Sequence, residues 1–133
     1  MNIIDIEGIG PVYAAKLITA GISSVETLLK KGASDKGRKE IAAATGIPHT
    51  SILGWVNRAD LYRINGVGKQ YSDLLEKTGV DTVVELSNRV ANHLYAKMIE
   101  VNQAKNLVNH MPGVKQVEKW IVQAKKLPRV VTY

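Results

Sequence analysis

The sequence predicts an all-α protein of two similar units in tandem, each of four to five short helices, followed by a short extended tail. Three observations predict it. Apolar residues recur three and four apart along nearly the whole chain, as in helices with one buried face. Glycine, proline and serine punctuate that pattern at helix starts and stops. A shift of 58 residues also lays IEGIGPVYAAKLITAGISSVETL (6–28) on INGVGKQYSDLLEKTGVDTVVEL (64–86), with 8 of 23 positions identical. The identities fall on glycines (Gly8/Gly66, Gly10/Gly68, Gly21/Gly79) and on apolar positions such as Leu17/Leu75 and Leu28/Leu86. Further along, a shift of 65 sets Ile52, Trp55, Val56 and Ala59 on Val117, Trp120, Ile121 and Ala124. The pattern reads as an internal duplication, with the extra residues of the second copy placed within 101–113.

The first unit is assigned to residues 1–61 and the second to 62–133, with a helix over 49–62 that the two could share. After Gly10, Pro11 suits a helix first turn, where its missing N–H is not needed. Tyr13, Leu17 and Ile18 supply the apolar face over 11–20, and Gly21 ends it. Ser23 or Ser24 caps a short helix through Lys31; helices over 35–45 and 49–62 follow, broken at Thr45-Gly46-Ile47-Pro48. In the second unit a helix follows Gly68, and Asp81 or Thr82 caps the next. Leu94, Met98 and Val101 then mark a longer helix, with a short one near 104–110 stopped by Pro112 and a last one over 114–127. The tail, Val130-Val131-Thr132-Tyr133, reads as extended. An apolar segment of that kind either folds back on the core or offers itself to a partner.

Composition narrows the function classes. Hydrophobic content of 45% with 23% charged residues is that of a globular chain. No apolar run approaches the ~18 residues of a membrane span, and acids near the start (Asp5, Glu7) argue against a signal peptide. The absence of cysteine excludes thiolate metal sites and fits a reducing, cytoplasmic setting. The net charge of +6 is uneven. Residues 1–61 hold 7 basic and 6 acidic groups; residues 62–133 hold 11 and 6. The second unit is therefore the one that suits a polyanion.

The glycine corners fail two phosphate-loop patterns. In a dinucleotide fingerprint the third glycine would fall at Tyr13 or Tyr71, and no strand precedes either corner. In a nucleotide-binding P-loop, Gly68-Lys69 would need a hydroxyl residue next, but Gln70 follows, and Arg63 stands at the first glycine position. A helix start preceded by bare backbone nevertheless remains an anion site in its own right.

Gly-apolar-Gly between a short helix and a longer one (Gly8-Ile9-Gly10, Gly66-Val67-Gly68) resembles the helix-hairpin-helix motif. The whole chain, through to VEKWIVQAKKLPRVVTY, is similar to the helix-hairpin-helix family called domain of unknown function 4332. Each half looks like the unit shared by sterile-alpha-motif-like domains and the N-terminal domains of repair polymerases. The resemblance implies that hairpin amides contact a nucleic-acid phosphate, without reading sequence. In the family's binding hairpins one or two cations follow the second glycine. The first corner has Pro11, Val12 and Tyr13 there, with Glu7 nearby, so Gly8, Ile9 and Gly10 are assigned a structural role. The second has Lys69, Gln70, Tyr71 and Ser72, so Gly66, Val67, Gly68, Lys69 and Gln70 are the candidate phosphate site.

Lys115, Lys119 and Lys126 share a face of the last helix, opposite Val117, Trp120, Ile121 and Ala124, and could track a backbone beside Lys69. Lys30, Lys31, Lys36, Arg38 and Lys39 flank a helix end and a helix start, where surface charge is ordinary. Trp55 and Trp120 lie on apolar faces and are assigned to the core. His49, His93 and His110 are scattered, and neither Asp5 with Glu7 nor Asp35 with Glu40 makes a catalytic pair, so no enzyme, metal, cofactor or small-molecule site is expected. Two functions stay open: weak DNA or other nucleic-acid binding through the second corner, or a protein-interaction module in which both hairpins are structural.

Overall fold

The computed structural model describes residues 1–133 as eight α-helices with no β-strand. They are α1 (Pro11–Thr19), α2 (Val25–Lys31), α3 (Asp35–Thr45), α4 (His49–Leu61), α5 (Lys69–Lys77), α6 (Val83–Ser87), α7 (Ala91–Lys105) and α8 (Val114–Lys126). The chain divides into two compact units: Met1–Asp60 with Val130–Tyr133, and Leu61–Arg129.

In the first unit, α1 starts at Pro11 and turns Ala14 and Leu17 inward. Ile18, expected on that buried face, points outward and is 55% exposed, because the helix buries only the narrow stripe that holds Ala14 and Leu17. Ser24 caps α2 by accepting from Thr27 N at 3.1 Å, and Ser34 caps α3 by accepting from Gly37 N at 3.0 Å. From α4, Ile52, Trp55, Val56 and Ala59 are buried. The four-residue tail belongs to this unit: Val131 is 3% exposed and Thr132 N donates to Ala33 O at 2.8 Å.

Arg38 is a correction to the sequence reading. Grouped there with surface charge, it is only 1% exposed. Its Nη1 donates to Gly32 O at 2.9 Å and Ala33 O at 3.0 Å, and its Nη2 to Thr132 O at 2.7 Å. Main-chain carbonyls at the α2–α3 turn and in the tail replace water around the guanidinium, which is what allows the burial.

The second unit packs α8 against α6 and α7, and α5 against α7. Its core includes Leu61, Ile64, Leu75, Leu86, Met98 and Trp120. Truncating a core tryptophan costs roughly 3–5 kcal/mol. Thr82 caps α6 by accepting from Glu85 N at 3.3 Å, while Glu85 accepts from Asp81 N at 3.2 Å. The short helix expected near 104–110 does not form. α7 stops where Asn106 adopts φ 50°. The Asn102 side chain then serves the following backbone, accepting from Leu107 N at 2.8 Å and Val108 N at 3.0 Å and donating to Val108 O at 3.1 Å. With those groups satisfied from the side, residues 106–113 need no helix of their own.

Candidate nucleic-acid interface

The two glycine corners have closely similar geometry. Gly8 has φ +93° and Gly66 φ +94°, a region that L side chains rarely adopt. A Cβ at Gly8 would stand 3.2 Å from Trp55 Nε1, and one at Gly66 3.1 Å from Trp120 Nε1. The middle residue of each corner is buried, Ile9 and Val67 alike. Ile9 N donates to Ile6 O, and Val67 N to Ile64 O, both at 3.1 Å. Tyr13 leans on Trp55 with ring centroids 5.3 Å apart, and Tyr71 on Trp120 at 5.4 Å. Both tyrosines therefore pack within their own unit, and Tyr71 Oη also donates to His110 O at 2.9 Å.

The second glycine of each corner differs from the first. Gly10 (φ −85°) and Gly68 (φ −105°) are extended, and a Cβ on either would meet nothing within 4 Å. Neither backbone conformation nor internal packing requires glycine there. Each is the N-cap of the helix that follows, and no side chain caps either helix. Chemistry separates the two starts. α1 opens on Pro11, which brings no N–H, followed by exposed Val12. α5 opens on exposed Lys69 and Gln70, and Ser72, one turn on, donates its hydroxyl to Lys69 O at 2.9 Å.

One edge of α8 borders the second corner. Asn65 N donates to Gln123 Oε1 at 3.0 Å, and Gln123 Nε2 donates back to Asn65 O at 3.4 Å. Gln116 Nε2 lies 3.5 Å from where a Gly66 Cβ would be. Lys115 and Lys119 share a shallow surface depression of 480 Å³ with Glu118, Val122 and Gln123. Gln123 thus bonds to Asn65 at the corner and also lines the depression that Lys115 and Lys119 share. Lys126 lies two turns beyond Lys119, about 10 Å further along the same face. All three lysines are exposed. The sequence pattern placed them on that face, whereas the coupling through Gln116 and Gln123 had no signal beyond their position one step around the helix.

The remaining candidates scatter. Nowhere do three or more His, Cys, Asp or Glu side chains gather in a metal-holding group. His49 Nε2 lies 3.3 Å from Asp35 Oδ1, linking the starts of α3 and α4. No helix is long and apolar enough to cross a membrane.

Residues 7–127 match the family described as Domain of unknown function (DUF4332), over most of the chain. The chain belongs to the DUF4332 family. The DUF4332 match takes in both glycine corners and all of α8, and it stops before the tail. No curated protein and no solved structure matches the chain.

Proposed function

We propose that this DUF4332 protein is a non-enzymatic, cytoplasmic, tandem helix-hairpin-helix protein that binds nucleic-acid backbone weakly and without sequence preference. The second hairpin and the lysine face of α8 carry the binding. Descent of both units from one duplicated sterile-alpha-motif-like ancestor is supported by the paired dihedrals and the paired tryptophan contacts.

The observation that carries the functional reading is Gly68. It shares with Gly10 open space and a helix start that no side chain caps, but exposed Lys69 follows it where Pro11, without an N–H, follows Gly10. Bare backbone at a helix N-terminus lets a phosphate oxygen approach the amides, and the adjoining Lys115 and Lys119 extend the positive surface. Contacts of this kind recognise backbone and ignore sequence. Fluorescence anisotropy with a labelled duplex at low and moderate salt tests it. Binding at low salt that falls steeply with added salt, and is lost in Lys69→Glu, is the expected outcome. No binding at low salt, or binding indifferent to Lys69, overturns it.

A second reading, a protein-interaction module, draws on a different surface. Val12 is 69% exposed and Ile18 55% exposed on α1, while the α5 positions 58 residues on carry Gln70 and Glu76. An apolar outer face on one helix and a polar one on its counterpart suit a first unit that meets protein and a second that meets a polyanion.

A further inference from the structure

We infer that Gln123 is a positioning residue, whose side-chain amide holds the second glycine corner in the shape that receives a phosphate. This role rests on the nucleic-acid reading of that corner.

Asn65 leads into the corner and lies outside any helix, so its main-chain N–H and C=O have no helical partners. Gln123 serves both. Its Oε1 accepts from Asn65 N at 3.0 Å, and its Nε2 donates to Asn65 O at 3.4 Å. Within the corner, one main-chain bond closes the turn, from Val67 N to Ile64 O at 3.1 Å. The Gln123 bonds tie that turn to α8, 58 residues away in the chain. Trp120, three residues before Gln123 and on the same side of α8, meets Gly66: a Cβ there would stand 3.1 Å from the indole Nε1. α8 therefore fixes two successive corner residues, Asn65 by hydrogen bonds and Gly66 by contact. Gly68 and Lys69 follow directly, so the start of α5 inherits its orientation from the residues that Gln123 and Trp120 hold.

The task selects an amide. Holding the N–H and the C=O of one residue takes an acceptor and a donor on a single side chain. A carboxylate only accepts, and it would set a negative charge beside the phosphate approach. A guanidinium or ammonium only donates. The repeat supplies the contrast. The residue 65 before Gln123 is Arg58, and the residue 58 before Asn65 is Glu7. Arg58 cannot accept from a main-chain N–H, so it cannot reproduce this clamp. The neutral two-point clamp belongs to the corner that carries Lys69, and the corner that carries Pro11 is built without it.

The test compares the full chain with Gln123→Met, Lys69→Gln and the double variant. Methionine keeps the flexible unbranched stem and removes both polar atoms. Gln123→Met is expected to stay helical by circular dichroism. Its amide exchange, followed by NMR, should quicken at Val67 while the helical Leu75 amide keeps its rate. Binding to a labelled duplex at low salt should weaken about three- to tenfold. The slope of log affinity against log salt should become shallower, as for Lys69→Gln, which a general loss of stability does not produce. In the double variant the loss should be smaller than the product of the two single losses, because both act through one corner. Gln123→Asn, whose amide is one methylene short of Asn65, is the second variant and should behave like Gln123→Met. Unchanged exchange at Val67, wild-type affinity in Gln123→Met, or losses that multiply in the double variant overturn the positioning role. A wild-type chain without salt-dependent binding overturns the nucleic-acid reading itself, and exchange at Val67 then still reads whether Gln123 holds the corner.

Discussion

Gly66 has φ +94°, and a methyl group there would lie 3.1 Å from Trp120 Nε1, whereas Gly68 has φ −105° with open space around it. The two glycines therefore separate stability from function. Gly66→Ala is expected to cost about 1–3 kcal/mol in urea unfolding, because alanine must adopt a strained backbone and press on the indole. Gly68→Ala should leave stability within about 1 kcal/mol of wild type, since poorer capping by alanine offsets its smaller chain entropy. Its duplex affinity should nonetheless fall several-fold, because the new methyl group occupies the phosphate approach. Equal affinity for Gly68→Ala and wild type would remove the reason for reading that glycine as functional. At this scale the sequence was informative about backbone and silent about partners. The repeat singled out every corner glycine, but Arg38 read as surface charge because nothing in its spacing reveals three waiting carbonyls.

Among the elements, helix boundaries were legible wherever a local residue sets them. Pro11 opens α1, Ser24 caps α2 and Thr82 caps α6, each among the residues the sequence offered there. They were not legible where a side chain inside a helix serves the backbone beyond its end, as at Asn102, which replaces an expected short helix with an irregular turn. The start of α3 also carries a pH dependence. The Lys39 ammonium, 2.9 Å from Asp35, holds the Asp35 carboxyl below its usual value, and His49 and Arg38 act in the same direction. A folded-state value below the unfolded one means the contribution is complete above the usual aspartate range and is lost as pH falls through the lowered value. Thermal unfolding of Asp35→Asn should therefore show a lower midpoint than wild type at neutral pH, with the gap closing in acid. A gap that persists unchanged in acid would contradict the ion-pair account.

For the molecule as a whole, charge and geometry point to the same unit. Residues 62–133 carry 11 basic groups against 6 acidic, and they include the corner with Lys69 and the helix with Lys115, Lys119 and Lys126. The fold class was legible in the sequence because helical periodicity and punctuation agree along most of the chain. The grouping of the candidate site was legible only in part, since the sequence set the lysines on one face but not that face beside the corner. Few phosphates can be reached from so small a surface, so binding should be modest and its salt dependence countable. The most direct measurement is the slope of log affinity against log salt for a labelled duplex, with wild type and Lys69→Gln compared. A contact with ~2–4 phosphates gives a slope of roughly −2 to −4. Losing the Lys69 contact should make that slope shallower by about 1. A wild-type slope near zero, or a Lys69→Gln slope indistinguishable from wild type, would contradict phosphate binding at this corner.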